Sequence, residues 1–252
     1  IDNYEDNLDF FKEKNIISQV IGNPKKIIEE YDEAFNLKEP IIIYIANNKH
    51  DLSKKNNSKI SSFCKEYSIN YLFVEGYKLN EKQKLRLLNK LNYSDIHDEL
   101  IVFLDEGEVK EVSEFIPKDE SEYFDKASNY GIIDSSSAES LVTIDFNKFK
   151  SIVSEQNKNV IVIGSNDCKY CEQLKPIIGK IGIQNNLKIY YVEFKEEDFN
   201  IINEYFKSIG YNGIISYPLV IVSENNQVLD RVIGLSNKDI YIKKFKEMGV
   251  IQ

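Results

Sequence analysis

Short apolar runs alternate with amphipathic stretches along most of this chain. Ile41–Ile45 and Val160–Ile163 have no polar interruption, as strands buried on both faces require. Tyr71–Val74, Leu100–Leu104, Lys188–Val192 and Leu219–Val222 read the same way, and Leu141–Ile144 as a shorter strand. Between them the period changes to the helical one. Ile27, Ile28, Tyr31, Ala34 and Phe35 follow Asn23-Pro24, with proline at the first helical position. Ile60, Phe63, Cys64 and Tyr67 mark a second helix, and Asn80 caps a third that runs to Leu91. Residues 100–112 read as a hairpin turning at Asp105-Glu106-Gly107, and Tyr123–Tyr130 as a helix closing the first half. Phe146, Phe149, Ile152 and Val153 predict another helix, and Phe199, Ile202, Tyr205, Phe206 and Ile209 one that ends near Gly210. At the start, Leu8 and Phe11 suggest a helix and Ile16–Val20 a strand. Strands alternating with helices predict an α/β fold with central sheets.

The two halves overlay. The shift that carries Leu100–Phe103 onto Leu219–Val222, 119 residues, also carries Ile41–Tyr44 onto Val160–Ile163 and Asn47 onto Asn166. That predicts a repeat at domain scale: residues 1–134, a linker at 135–140, and residues 141–252. The stretch Asp134-Ser-Ser-Ser-Ala-Glu139 is small and polar, as a linker would be.

The candidate chemistry sits in the second copy. After Val160–Ile163 come Gly164, Ser165, Asn166 and Asp167, then Cys168-Lys169-Tyr170-Cys171. Beyond the pair, Leu174, Ile177, Ile178 and Ile181 recur at helical spacing. The cysteines therefore fall where a strand hands over to a helix. Free N–H groups and the positive end of the helix dipole favour a thiolate there. Cys168, nearer the helix start, is the expected attacking thiolate, and Cys171 the resolving thiol. The same spacing serves zinc, which needs two further ligands. The chain has one other cysteine, Cys64, and two histidines, His50 and His97, all distant in sequence. Under the 119-residue shift Lys49 and Leu52 replace Cys168 and Cys171, and Glu99 replaces Pro218, so the first copy is expected to be non-catalytic.

These residues resemble the thioredoxin family. Pro176 falls five residues after the second cysteine, where the family's active-site helix kinks. Ser216-Tyr217-Pro218 resembles its cis-proline loop, and Val228–Gly234 its last strand. The resemblance covers about residues 140–252. It implies two thioredoxin-like domains in tandem and a thiol–disulfide oxidoreductase of the reductase, oxidase or isomerase kind, with Cys168, Cys171 and Pro218 catalytic. It also implies substrate contacts by Lys169, Tyr170 and Tyr217, protein thiols or disulfides as substrates, a redox partner protein, and no cofactor beyond the disulfide. Bacteriocin transport accessory proteins of Gram-positive bacteria resemble the catalytic half. Protein disulfide isomerases, and the N-terminal unit of the alkyl hydroperoxide reductase flavoprotein, resemble the pairing of a live copy with a dead one. Two positions depart from the pattern. Val162 stands where the family keeps a buried carboxylate, and Asp167 where it keeps an aromatic residue.

Composition narrows this little. The chain has 252 residues and a net charge of −9, and it lacks the basic face a nucleic-acid binder needs. No apolar run is long enough to span a membrane. The non-Met start and the bacteriocin-accessory resemblance favour an exported or surface-anchored protein. The first copy is expected to hold substrate, a partner or a second subunit. A binding module with a structural disulfide is the alternative function.

Overall fold

The computed structural model describes residues 17–19, 23–95 and 97–252. The expected helix at Leu8 and Phe11 lies outside them. The chain divides into two compact units, one ending at Ile133 and the other beginning at Asp134.

The first unit holds β1 (Ile17–Gln19), α1 (Pro24–Ala34), β2 (Ile41–Ala46), α2 (Asp51–Tyr67), β3 (Asn70–Glu75), α3 (Glu81–Leu91), β4 (Glu99–Asp105), β5 (Glu108–Ser113) and α4 (Glu120–Asn129). Its strands lie in the order β1-β3-β2-β4-β5. β1, β3 and β2 run parallel, and β4 and β5 antiparallel to their neighbours. Ile41, Ile43 and Ile45 pack with α1 and α3 on one face, in a core that includes Leu72, Val74, Leu100 and Val102.

The second unit repeats the plan. It holds α5 (Ser136–Glu139), β6 (Val142–Ile144), α6 (Phe146–Val153), β7 (Asn159–Ser165), α7 (Lys169–Gln184), β8 (Ile189–Phe194), α8 (Phe199–Ser208), β9 (Leu219–Glu224), β10 (Gln227–Ile233) and α9 (Lys238–Glu247). The strand order is β6-β8-β7-β9-β10, with β9 and β10 antiparallel. Ile161 and Ile163 share a core with α6 and α8, centred on Phe149 and Phe206. Val160, Val162 and Gly164 face the other way, under α7. Gly182 of α7 sits against Ile189 of β8, which fixes that side. Each unit is an α/β sandwich of thioredoxin-like topology.

Strand faces correct the internal alignment. A slip of one residue sends every strand side chain to the opposite face. The shift of 119 puts Ile42 on Ile161, yet Ile43, not Ile42, lies in the α1/α3 core. A shift of 118 restores the faces of β2, α2 and β3. The 119 shift holds at β4 and β9, because Ile45 pairs with Leu100 where Ile163 pairs with Leu219. His50 and Ser53, not Lys49 and Leu52, therefore stand at the positions of Cys168 and Cys171. The helices agree: His50 is the N-cap of α2 as Cys168 is of α7. Glu99 does stand at the position of Pro218.

Residues 135–140 also differ from expectation. They form α5 and its cap rather than a free linker. The Ser137 hydroxyl donates to the Pro176 carbonyl at 3.0 Å, and Ser140 Oγ to the Gly179 carbonyl at 3.3 Å. Gly179 makes this docking possible, since a Cβ there would lie 1.9 Å from the Ser137 carbonyl oxygen. Small side chains that read as linker chemistry serve close packing of two backbones.

Candidate active site

The loop from Ser165 to Cys168 leaves the C-terminal end of β7 and turns into α7. Asp167 makes the turn with φ of 60°, a left-handed conformation that Asp adopts more readily than most residues. The Cys168 N–H reaches the Ser165 carbonyl at 3.3 Å. Cys168 then caps the helix in extended conformation, its sulfur accepting the Cys171 N–H at 3.2 Å. That bond places Sγ of Cys168 beside the N–H groups of the first turn, at the positive end of the helix dipole, where negative charge on sulfur is favoured. Cys168 and Cys171 form a disulfide with Cα atoms 5.2 Å apart. Cys168 is half-buried, whereas Cys171 is 1% exposed. An incoming group therefore meets Cys168 first.

Pro176 lies inside α7, and the Tyr217–Pro218 peptide bond is cis. Pro218 precedes Leu219, which pairs with Ile163, so it sits at the same end of the sheet as the disulfide loop. Its carbonyl accepts the Gly234 N–H at 2.7 Å, which ties the loop to the end of β10. Ser165, Asn166, Asp167 and Tyr217 line one cavity of about 1000 Å³. The far wall is Lys195, Glu197, Phe199 and Asn200, from the turn after β8 and the start of α8. Burial raises the Tyr217 phenol, with Asp198 adding to it. Tyr170 is 57% exposed and Lys169 is exposed, both on the outer side of the first helical turn. The structure thus brings Cys168, Cys171 and the Tyr217–Pro218 loop to one end of the sheet, with Lys169 and Tyr170 on its rim. The far wall carries no motif. Its place could have been anticipated, because ligands of open α/β sheets bind beyond the carboxyl ends of the strands.

Val162, at the position of the absent carboxylate, is buried and apolar. Nearer the disulfide loop on that face is Gly164, and the Tyr191 hydroxyl fills the space over it: a Cβ on Gly164 would lie 2.3 Å from that oxygen. Tyr191 donates to Glu193 Oε1 at 3.2 Å. The Lys175 ammonium stands 4.7 Å from the Tyr191 ring centre and pairs with Glu172 at 2.6 Å. Burial, then Glu193 and Glu172, push the Tyr191 phenol well up, so it stays protonated.

In the first unit the equivalent place is built from oxygen and nitrogen. Ser53 Oγ donates to Glu99 Oε1 at 2.7 Å and Asn56 Nδ2 to Glu99 Oε2 at 2.8 Å. His50, His97, Asp98 and Glu114 line a cavity of about 280 Å³ beside them. Cys64 lies away from it, fully buried, and burial raises its thiol. Such a thiol is a poor nucleophile, in keeping with a core role. Among the described residues no group of three or more His, Cys, Asp or Glu side chains is arranged to hold a metal ion. Nor is any helix among them long and apolar enough to cross a membrane.

No family model and no curated protein matches the chain. Solved thioredoxins do resemble it in structure. Mitochondrial thioredoxin 3 of Saccharomyces cerevisiae in its oxidised form shares 17% identity over 44% of this chain and 98% of its own, with a TM-score of 0.34. Thioredoxin f2 of Chlamydomonas reinhardtii shares 14% over 43% and 95%, with a TM-score of 0.36. The thioredoxin of Trypanosoma brucei brucei shares 19% over 43% and 89%, with a TM-score of 0.35.

Proposed function

We propose that the chain is a thiol–disulfide oxidoreductase acting on protein substrates through Cys168 and Cys171. The observation that carries this reading is the asymmetry of the pair. One sulfur is half-buried at a helix N-terminus, and the other is sealed one turn below it. In the reducing direction the Cys168 thiolate attacks one sulfur of a substrate disulfide. That bond breaks, a Cys168–substrate disulfide forms, and the departing thiolate takes a proton from water. The Cys171 thiolate then attacks Cys168 Sγ, closes the Cys168–Cys171 bond and releases the second substrate thiol. Two electrons pass from the protein to the substrate. Run backwards, the same steps oxidise a substrate dithiol. Both electrons reside on the cysteine pair, so the cycle calls for no metal or organic cofactor.

In this reading Pro218 shapes the loop at the same end of the sheet as the pair, and the backbone of Tyr217 pairs with an extended substrate segment. Lys169 and Tyr170 touch the substrate at the rim. The first unit, with oxygen where the second has sulfur, holds substrate or a partner instead of exchanging disulfides. An insulin-reduction assay on the wild type and Cys168→Ser tests the proposal. Turnover by the wild type and none by the variant is expected. Equal rates leave the binding-module reading standing in its place.

A further inference from the structure

We infer that Tyr191 and Glu193 carry the proton away from Cys171 when it resolves the mixed disulfide, in place of a buried carboxylate. The inference rests on the proposed exchange reaction and adds a residue pair to it.

The chemistry poses the problem. A thiol must lose its proton before it attacks a disulfide. Cys171 is 1% exposed, so bulk water does not reach it, and Val162, buried and apolar at the position of the absent carboxylate, offers no acceptor. Tyr191 is buried on the same face of the sheet, its hydroxyl over Gly164. Gly164 adjoins Ser165, whose carbonyl starts the turn to Cys168. From α7, Glu172 and Lys175 follow Cys171 by one and four residues, and both act on Tyr191. Tyr191 thus meets α7 at Lys175, one turn beyond Cys171, on the sheet face that α7 covers. Its own proton goes to Glu193, which is exposed. In the inferred relay the proton enters from the buried Cys171 sulfur and leaves through the exposed Glu193.

In the proposed step the Cys171 proton passes to the Tyr191 oxygen as the Tyr191 proton passes to a Glu193 carboxylate oxygen. The freed thiolate forms the bond to Cys168 Sγ, the bond from Cys168 to the substrate sulfur breaks, and the substrate leaves as a thiolate. Glu193 then gives its proton to water. The charged groups facing Tyr191 are Glu193 on its own strand and Glu172 and Lys175 on α7. β7 contributes the glycine, and β6 pairs Thr143 with Tyr191.

Reaction of the reduced full-length protein with 5,5′-dithiobis(2-nitrobenzoate) separates the two steps, since each releases one coloured thiolate. The first release reports attack by Cys168 and the second resolution by Cys171. Tyr191→Phe keeps the ring and removes the relay. We expect it to leave the first release unchanged and to slow the second by about tenfold or more near neutral pH, within the range of a lost general base. The second release in this variant should recover as pH rises and the Cys171 thiol ionises unaided. Glu193→Gln should slow the second release in the same sense. A second release unaffected by Tyr191→Phe overturns the inference. So does equal slowing of both releases with no recovery at high pH, which marks a structural role. A wild type that gives no first release fails the oxidoreductase reading itself, so the two failures are distinguishable.

Discussion

At Gly164 the lack of a side chain determines what lies beneath the disulfide loop. The Tyr191 hydroxyl takes the space a Cβ would fill, 2.3 Å from the ideal position, and a hydrogen bond to Glu193 holds it there. Gly164→Ala must therefore push the ring aside, and overpacking of this kind costs about 1–3 kcal/mol. Urea unfolding should show that loss. The double variant Gly164→Ala/Tyr191→Phe should recover part of it, because the clashing oxygen is gone. A double variant as unstable as the sum of its parts would rule out this contact as the cause. Lys180 on α7 gives a prediction in pH. Burial, then the Lys238 charge, lowers its ammonium pKa below the ordinary 10.5, with Asp134 opposing. The fold thus disfavours charged Lys180, and this cost is present at neutral pH and below. It is relieved as pH rises through the folded-state pKa towards 10.5, so this residue makes stability climb with pH in that interval. Lys180→Met should raise stability near neutrality and flatten the climb, as measured by urea unfolding at a series of pH values.

Elements were legible where one period persisted over many residues. The strand from Ile41, the Asn80-capped helix, the hairpin turning at Glu106-Gly107 and the helix ending before Gly210 all lie where their patterns put them. The cysteine pair on its helix start was legible too, because a strand run, a turn and a helical stripe bracket it. What the pattern hid was face and register. Ile41–Ile45 is apolar at every position, so sequence alone cannot say which residues face α1. The one-residue slip between repeats was invisible for that reason, and Ser53 went unnoticed as the counterpart of Cys171. α5 was missed because four residues of small side chains carry no period. Once the register is corrected, Glu99 becomes the member of the first unit whose loss matters most. Ser53 and Asn56 are both buried and both donate to it. Glu99→Ala takes the acceptor from the buried Asn56 amide and leaves the Ser53 hydroxyl only the Asn48 carbonyl at 3.2 Å, at about 1–3 kcal/mol by the cost of an unsatisfied group. Glu99→Gln, whose amide oxygen still accepts one of the bonds, should cost less. Thermal unfolding compares the two, and equal losses would show that the bonds contribute nothing.

At the scale of the molecule, the chain is two units with their own sheets and cores, and the Cys168–Cys171 disulfide lies in the second. The second unit begins at Asp134, ahead of α5, and Ser137 and Ser140, which also bond within their own segment, each reach a carbonyl of α7, the helix that starts at the cysteines. A linker reading would instead cut at Leu141 and discard α5. The two boundaries make different predictions. Residues 134–252 expressed alone should fold and reduce insulin at the rate of the whole chain, since every residue of the proposed cycle lies inside them. Residues 141–252 should unfold at a lower temperature. They lose the Ser137 and Ser140 bonds to α7 and leave Gly179 and the turn around Pro176, further along the helix that starts at the cysteines, uncovered. Equal melting temperatures for the two fragments would mean that α5 contributes no stability to the active-site helix. A stable 134–252 fragment that has lost the turnover of the whole chain would place part of the reaction in the first unit. The Ser53–Glu99–Asn56 cluster, at the position equivalent to the disulfide, would then be the first place to substitute.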